Sequence, residues 1–190
     1  RIADVDKPYA QLPEVIYGGS LEAGWLEASL ESQYTWFYRD NENLTGLDKA
    51  NGQRLRAIPE LALPMRALWG FSRPSVSLDY TRYELDDYTL GDAGFDRTVP
   101  VFEWDNGLYF DRRSSLFDVP YNQTLEPRLY YAWADAESDQ NYIPDFDTGI
   151  RSFRFDQLFR RDRFTGGDRV GDANQLTVAL TSRFNDLLTG

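Results

Sequence analysis

Between Leu125 and Phe184 two runs of strict alternation flank a long polar excursion. In the first run Leu125, Pro127, Leu129, Tyr131 and Trp133 point one way, while Glu126, Arg128 and Tyr130 point the other. The second run sets Leu176, Val178, Leu180 and Phe184 against Gln175, Thr177, Thr181 and Arg183. A period of two with unlike faces is the mark of a β-strand bounded by two different environments. The 135–172 connection is far longer than ordinary loops, and such loops are functional or disordered.

The same pattern recurs upstream. Tyr9 onward puts Pro13, Val15 and Tyr17 opposite Leu12, Glu14 and Ile16, with a turn expected at Gly18-Gly19-Ser20. From Trp25 to Arg39, Leu26, Ala28, Leu30, Tyr34, Trp36 and Tyr38 oppose Glu27, Ser29, Glu31, Gln33 and Thr35. That run exceeds a typical globular strand and suits a tilted bilayer crossing, which needs about 9 to 11 residues. Further strands are expected near Arg54–Leu63, Ser72–Glu84 and Thr98–Arg112. Polar loops fall at 40–51 and 85–96, a brief link at Pro64–Ala67 and a turn of about ten residues before Leu125, close to ordinary connection lengths. Pro13, Pro59, Pro100 and Pro127 should mark local breaks in pairing, because proline has no N–H to donate, or else simple strand starts.

Charge decides what each face meets. Glu27, Glu31, Arg54, Arg56, Glu103, Asp105, Glu126, Arg128 and Arg183 gather on one face, too many to bury against one another cheaply, so that face should line water. The opposite face should meet lipid, with Tyr34, Trp36, Tyr38, Trp104, Tyr131 and Trp133 as interfacial girdle residues. A soluble antiparallel sandwich alternates too, and a carbohydrate-binding module using Trp and Tyr to stack on sugars is the rival reading. About seven strands cannot close as a bacterial barrel, and open edges are untenable in lipid, so the expected fold is all-β, an antiparallel transmembrane barrel segment within a larger protein.

Composition narrows the chemistry. There is no histidine and no cysteine, so Ser-His-Asp, Cys-His and the usual zinc sites cannot be assembled from this chain alone. With 20 basic against 31 acidic residues, net −11, nucleic acid is not an expected electrostatic partner. Lysine is nearly absent, and arginine supplies the cations as planar forks for carboxylates and phosphates. No apolar run is long enough for a transmembrane helix, and the first ten residues lack a signal-peptide layout. Asp145–Gly149 lacks the glycine and closing glutamate of a calcium loop, and no cofactor is expected. Glu103 with Asp105, and Glu27 with Glu31, share a face in pairs, but spacing alone places no substrate between them. They are read as wall residues rather than catalysts. Asn43-Leu44-Thr45 and Asn122-Gln123-Thr124 fit the glycosylation pattern by accident.

Three blocks in order, LEPRLYY, DQLFRRDRFTGGDR and GDANQLTVALTSRF, closely resemble the central barrel of the LptD (OstA, Imp) family of lipopolysaccharide-assembly proteins. Weaker resemblance runs through KPYAQLPEV, RLRAIPELALPM and TVPVFEWDNGLYFDR, so it spans nearly the whole chain. It implies a piece of a barrel of about 26 strands in a Gram-negative outer membrane, without the N-terminal periplasmic domain or the first and last strands. It also implies lipopolysaccharide, outer-membrane lipid and an LptE-type plug lipoprotein as partners, and periplasmic bridge proteins reached through the absent domain. The 135–172 segment would be a long extracellular loop folding toward the lumen near the plug. Asp145, Asp147, Arg160, Arg161, Asp162, Arg163, Asp168 and Arg169 would then pair inside the loop or with the plug. The other reading of these charges is an exposed, solubilising loop. Gly166-Gly167 should supply a positive-φ turn in either case.

Overall fold

A computed structural model describes residues 7–40, 42–116, 119–136 and 140–186. It contains an antiparallel nine-stranded sheet and a separate two-stranded ribbon. The sheet comprises β1 (Ala10–Ala23), β2 (Leu26–Tyr38), β3 (Asn51–Ala62), β4 (Met65–Ala67), β5 (Gly70–Asp86), β6 (Gly94–Leu108), β7 (Phe110–Leu116), β8 (Val119–Ala134) and, after the ribbon strands β9 (Gly149–Ile150) and β10 (Phe164–Thr165), β11 (Ala173–Asp186). The hydrogen-bonded order is β1-β2-β3-β5-β6-β8-β11, with β4 beside β5 and β7 beside β8. The sheet is open: among the described residues β1 and β11 each pair on one side only.

β4 continues the alignment of β3 against β5: Leu63 N–H donates to Pro74 O at 3.0 Å, and Met65 then pairs with Ser72. β7 likewise continues β6 on β8, with Tyr109 N–H turned aside to Trp69 O at 2.8 Å. Three of the four prolines lie where a ladder pauses. A register shift between Gln11 and Glu14 brackets Pro13, pairing of β3 with β5 skips from Ala57 to Glu60 around Pro59, and Pro127 faces the gap between β6 and β7. Pro100 sits in unbroken register opposite Leu78.

Several expected turns move. β1 runs straight through Gly18 and Gly19, which pair with Glu31 and Leu30, and the reversal comes at Gly24, φ +64. A glycine without a Cβ adopts extended backbone as readily as a turn, so the Gly-Gly pair alone did not locate the bend. Pro64–Ala67 is a link only at its first residue: Met65–Ala67 is β4 and the tight turn is Leu68-Trp69. The expected ten-residue turn is instead the β7–β8 hairpin, whose tip at 117–118 lies outside the described residues, as do 137–139 of the long connection. Connections at one end of the sheet are thus tight, while those at the other (39–50, 87–93 and 135–172) are longer.

Residues 140–172 cover the charged face of the sheet. Two apolar clusters lie between them. Ile143 and Phe146 pack with Tyr9, Phe37, Tyr83 and Leu85, and Val170 packs with Val99, Val101, Tyr130, Ala132 and Ala134. Phe146 stacks on Phe37 at 4.5 Å and meets Tyr9 edge-on at 4.8 Å. Among the described residues the apolar face carries no second layer. One cross-strand row, Leu21-Ala28-Leu61-Val76-Phe102-Trp133, takes one residue from each of six strands. The adjacent row on the other face reads Glu22-Glu27-Ala62-Ser75-Glu103-Ala132. A sandwich would bury the first row under a second sheet. No such sheet exists among the described residues, which removes the structural basis of the sandwich reading.

Candidate functional site

The site is the charged face with the segment seated on it. Arg54, projecting from β3, is fully buried. Its Nη1 donates to Asp147 Oδ1 and Asp168 Oδ1, both at 2.7 Å, and its Nη2 to Asp147 Oδ2 at 2.6 Å. Its guanidinium carbon lies 4.8 Å over the Phe37 ring. Asp168, also fully buried, accepts further hydrogen bonds from the amides of Phe146 (2.8 Å) and Asp147 (3.1 Å) and from Tyr83 Oη (3.0 Å). Arg97 from β6 donates to the carbonyls of Asp168 (2.7 Å) and Gly167 (2.9 Å).

A second junction reverses the signs. Asp79 of β5, fully buried, holds Arg56 Nε at 3.0 Å and receives Arg161 of the covering segment at 3.4 Å. Arg56 also donates to Gly166 O at 3.1 Å. One sheet cation, Arg54, thus meets two segment carboxylates at one junction, and a sheet carboxylate, Asp79, meets a segment cation beside its own Arg56 at the other. Gly166 has φ +74, and a Cβ there would run into the Asp147 carboxylate and carbonyl. A Cβ at Gly167 would lie 2.8 Å from Arg54 Cζ. The turn therefore needs glycine for conformation at the first position and for space at the second.

The Asp147–Asp168 pair is electrostatically divided. Burial pushes the Asp168 carboxyl above its usual range, and the Asp147 charge works in the same direction against Arg54. Burial also acts on Asp147, but the hydrogen bonds and charge of Arg54, with the Gly167 amide, outweigh it and hold this carboxyl below the usual range.

All nine residues expected to line water fall on this face by register. They do not share one environment. Arg54 is dry, clasped by two carboxylates of the covering segment, and Arg56 is nearly so, its counter-charge being Asp79 of β5 with Gly166 O of the segment as a further acceptor, a correction to the expectation that this whole face is wet. Farther down, Glu27 reaches Arg73 at 3.2 Å, and Arg73 also holds Glu60 at 2.6 Å. Asp105 binds Arg128 through two bonds of 2.9 and 2.6 Å. Glu103 accepts from Tyr130 Oη, and Glu126 pairs with Arg183. Glu31 is exposed. Of the two carboxylate pairs considered for catalysis, Glu103, Asp105 and Glu27 are thus engaged with wall neighbours, and Glu31 faces solvent.

Of the loop charges, Asp147, Arg161 and Asp168 turn inward to the sheet. Arg169 donates to Ile143 O at 2.9 Å, Asp162 accepts from Phe164 N at 2.9 Å, and Asp145 accepts from Thr148 N at 3.0 Å. Arg163 lies 5.0 Å over the Phe164 ring, and Arg160 is exposed. The six aromatic girdle candidates are on the apolar face. Tyr34, Trp36 and Tyr38 lie at the long-loop end of β2, while Trp104 pairs with Tyr131 across β6 and β8 and Trp133 pairs with Phe102. Sequence reasoning did not single out Arg97 or Tyr83. Their signal was position: polar side chains on the charged face at the loop end of β5 and β6, Tyr83 in register with Arg54 and Arg97 in the row of Arg56 and Thr81.

The family described as "LptD: LPS transport system D" matches residues 2–189. The chain belongs to the LptD family. Relatives named LPS-assembly protein LptD include one from Hahella chejuensis, 47% identical over the whole chain and 24% of its own length. The relative from Alkalilimnicola ehrlichii is 43% identical over 97% of the chain and 24% of its own length. That from Pseudomonas syringae pv. tomato is 38% identical over 93% and 22% respectively. The chain therefore spans about a quarter of the length of the LptD relatives it matches.

Proposed function

We propose that this chain is a wall segment of an outer-membrane LptD barrel that, with a plug lipoprotein of the LptE type, passes lipopolysaccharide to the outer leaflet. The carrying observation is the inverted burial: at the long-loop end the charged face is roofed by the covering segment, while among the described residues the apolar face is left bare. Val76, Leu78, Leu176, Val178 and Leu180 are exposed there, a contiguous surface that a water-borne protein does not leave open. Along β6 and its continuation β7 that face is uncharged from Thr98 to Phe110, between Asp96 and Arg112. At barrel tilt this run is about 30 Å tall, enough for the apolar band.

Two further features support the reading. Ala134 at the end of β8 pairs with Val101, well inside β6, a stagger of the kind tilted barrel strands require. The unpaired edges of β1 and β11 suit a sheet that continues on both sides toward a barrel of about 26 strands. The covered charged face is then lumenal and the longer connections extracellular. The covering segment turns Ile150, Phe153 and Phe155 outward, each exposed, beside Arg151 and Arg154, and this ridge is the surface offered to the plug. No chemical step is assigned: the wall carboxylates hold neighbouring arginines and tyrosines.

Spin labels in the full-length protein, in liposomes, test this. Labels at Val76 and Val178 should relax with lipid-dissolved oxygen and ignore an aqueous nickel chelate, and labels at Glu31 and Arg183 should do the reverse. Equal exposure of Val178 and Glu31 to the chelate overturns the reading.

A further inference from the structure

We infer that Arg54 and Arg97 are positioning residues that seat the 140–170 segment on the wall before any plug binds, so that the wall is its own template for that segment. The inference goes beyond the transport reading and rests on it only for the identity of the plug. The segment meets the wall through buried, charged hydrogen bonds at several points. Arg54 is clasped by Asp147 and Asp168, Arg97 fixes the carbonyls of Gly167 and Asp168, and Arg161 reaches back to Asp79. Ile143, Phe146 and Val170 complete the seat among wall side chains.

The opposite polarity of the two junctions makes the seat specific. Sliding the segment along the wall would bring Asp147 or Asp168 toward Asp79, and Arg161 toward Arg54, with both arrangements repelling in a buried setting. Seated, the segment leaves four charged groups buried; lifted, it returns Arg54, Arg97 and Asp79 to the wetted face. Loss of one partner should therefore release the segment rather than unfold the strands, because an unpaired buried charge regains water by that route.

The amides that report seating are those of Phe146, Asp147, Gly167 and Val170, each bonded to a side-chain oxygen of the segment itself. Hydrogen exchange is followed on the full-length protein in detergent, with and without its plug partner. Without plug, 143–170 should be protected in the unsubstituted protein. Arg54→Met, which strips Asp147 and Asp168 of their shared cation, and Asp168→Asn, whose amide must turn its N–H donors toward either Arg54 and Tyr83 or the Phe146 and Asp147 amides, should each speed exchange there by roughly a hundredfold while β3 and β5 stay protected. Arg54→Lys keeps the charge but loses the fork, and should fall between. Free exchange of 143–170 in the plug-free protein beside protected strands overturns the inference, as does unchanged protection in both variants. Should Arg54→Met disturb β3 itself, Asp168→Asn, which alters no strand residue, carries the decision. Failure of the barrel reading shows separately, in the spin-label pattern.

Discussion

Asp147 and Asp168 respond to acid in opposite senses, and the sum can be worked out. Asp147 is held below its usual range, so its contribution to seating is complete above about pH 4 and is lost as pH falls through its lower, bound value. Asp168 is raised: its proton is held more tightly in the seated than in the released segment, so seating gains as pH falls through its value. The groups facing the pair from the wall are Arg54, Tyr83 and Arg97. Exchange at the Phe146 and Asp147 amides, corrected for intrinsic rate, should not rise between pH 7 and about 5 and should rise only below about 4. Asp147→Asn should abolish that acid step. Loosening between pH 7 and 5 would contradict the assignment.

The strands make a simpler demand, that each keep two faces apart. Val76 stands in the middle of the bare row, and Val76→Arg should cost about 2 to 4 kcal/mol of barrel stability if that row meets hydrocarbon. Thr181→Arg, on the other face of β11 beside Glu126, should cost well under half as much. Urea unfolding of the full-length protein in bilayers measures both, and similar losses would refute the assignment of faces. Those faces were legible because alternation is a local property: Leu30, Leu61, Val178 and their opposites sit where the period of two put them. Turn positions were not, since Gly18-Gly19 is as content extended as bent. The seat was legible only in half. Asp147 and Asp168 stood out as loop charges, but their partners Arg54 and Arg97 are 93 and 71 residues away, and no local pattern joins residues so far apart.

At the scale of the whole molecule, the question is whether the covering segment belongs to the wall or to the plug. Its inner side is spent on the wall, through Asp147, Arg161 and Asp168, and its outer side shows Ile150, Phe153 and Phe155. Removing residues 145–163 from the full-length protein would delete the outer ridge together with Asp147 and Arg161, but no strand of the main sheet. The wall then keeps its ladder, its bare apolar face and its short turns, which are what insertion into a bilayer requires. Arg54 and Asp79, no longer roofed, return to water on the lumenal side, where their charge is cheap. Heat-modifiable, folded barrel should therefore be recovered at close to the normal level, while the amount of plug lipoprotein that co-purifies should fall several-fold, as expected when the apolar anchors of an interface are lost. Undiminished plug recovery would remove the ridge from the interface, and loss of folded barrel in proportion to plug would make the segment part of the wall's own fold rather than its link to a partner.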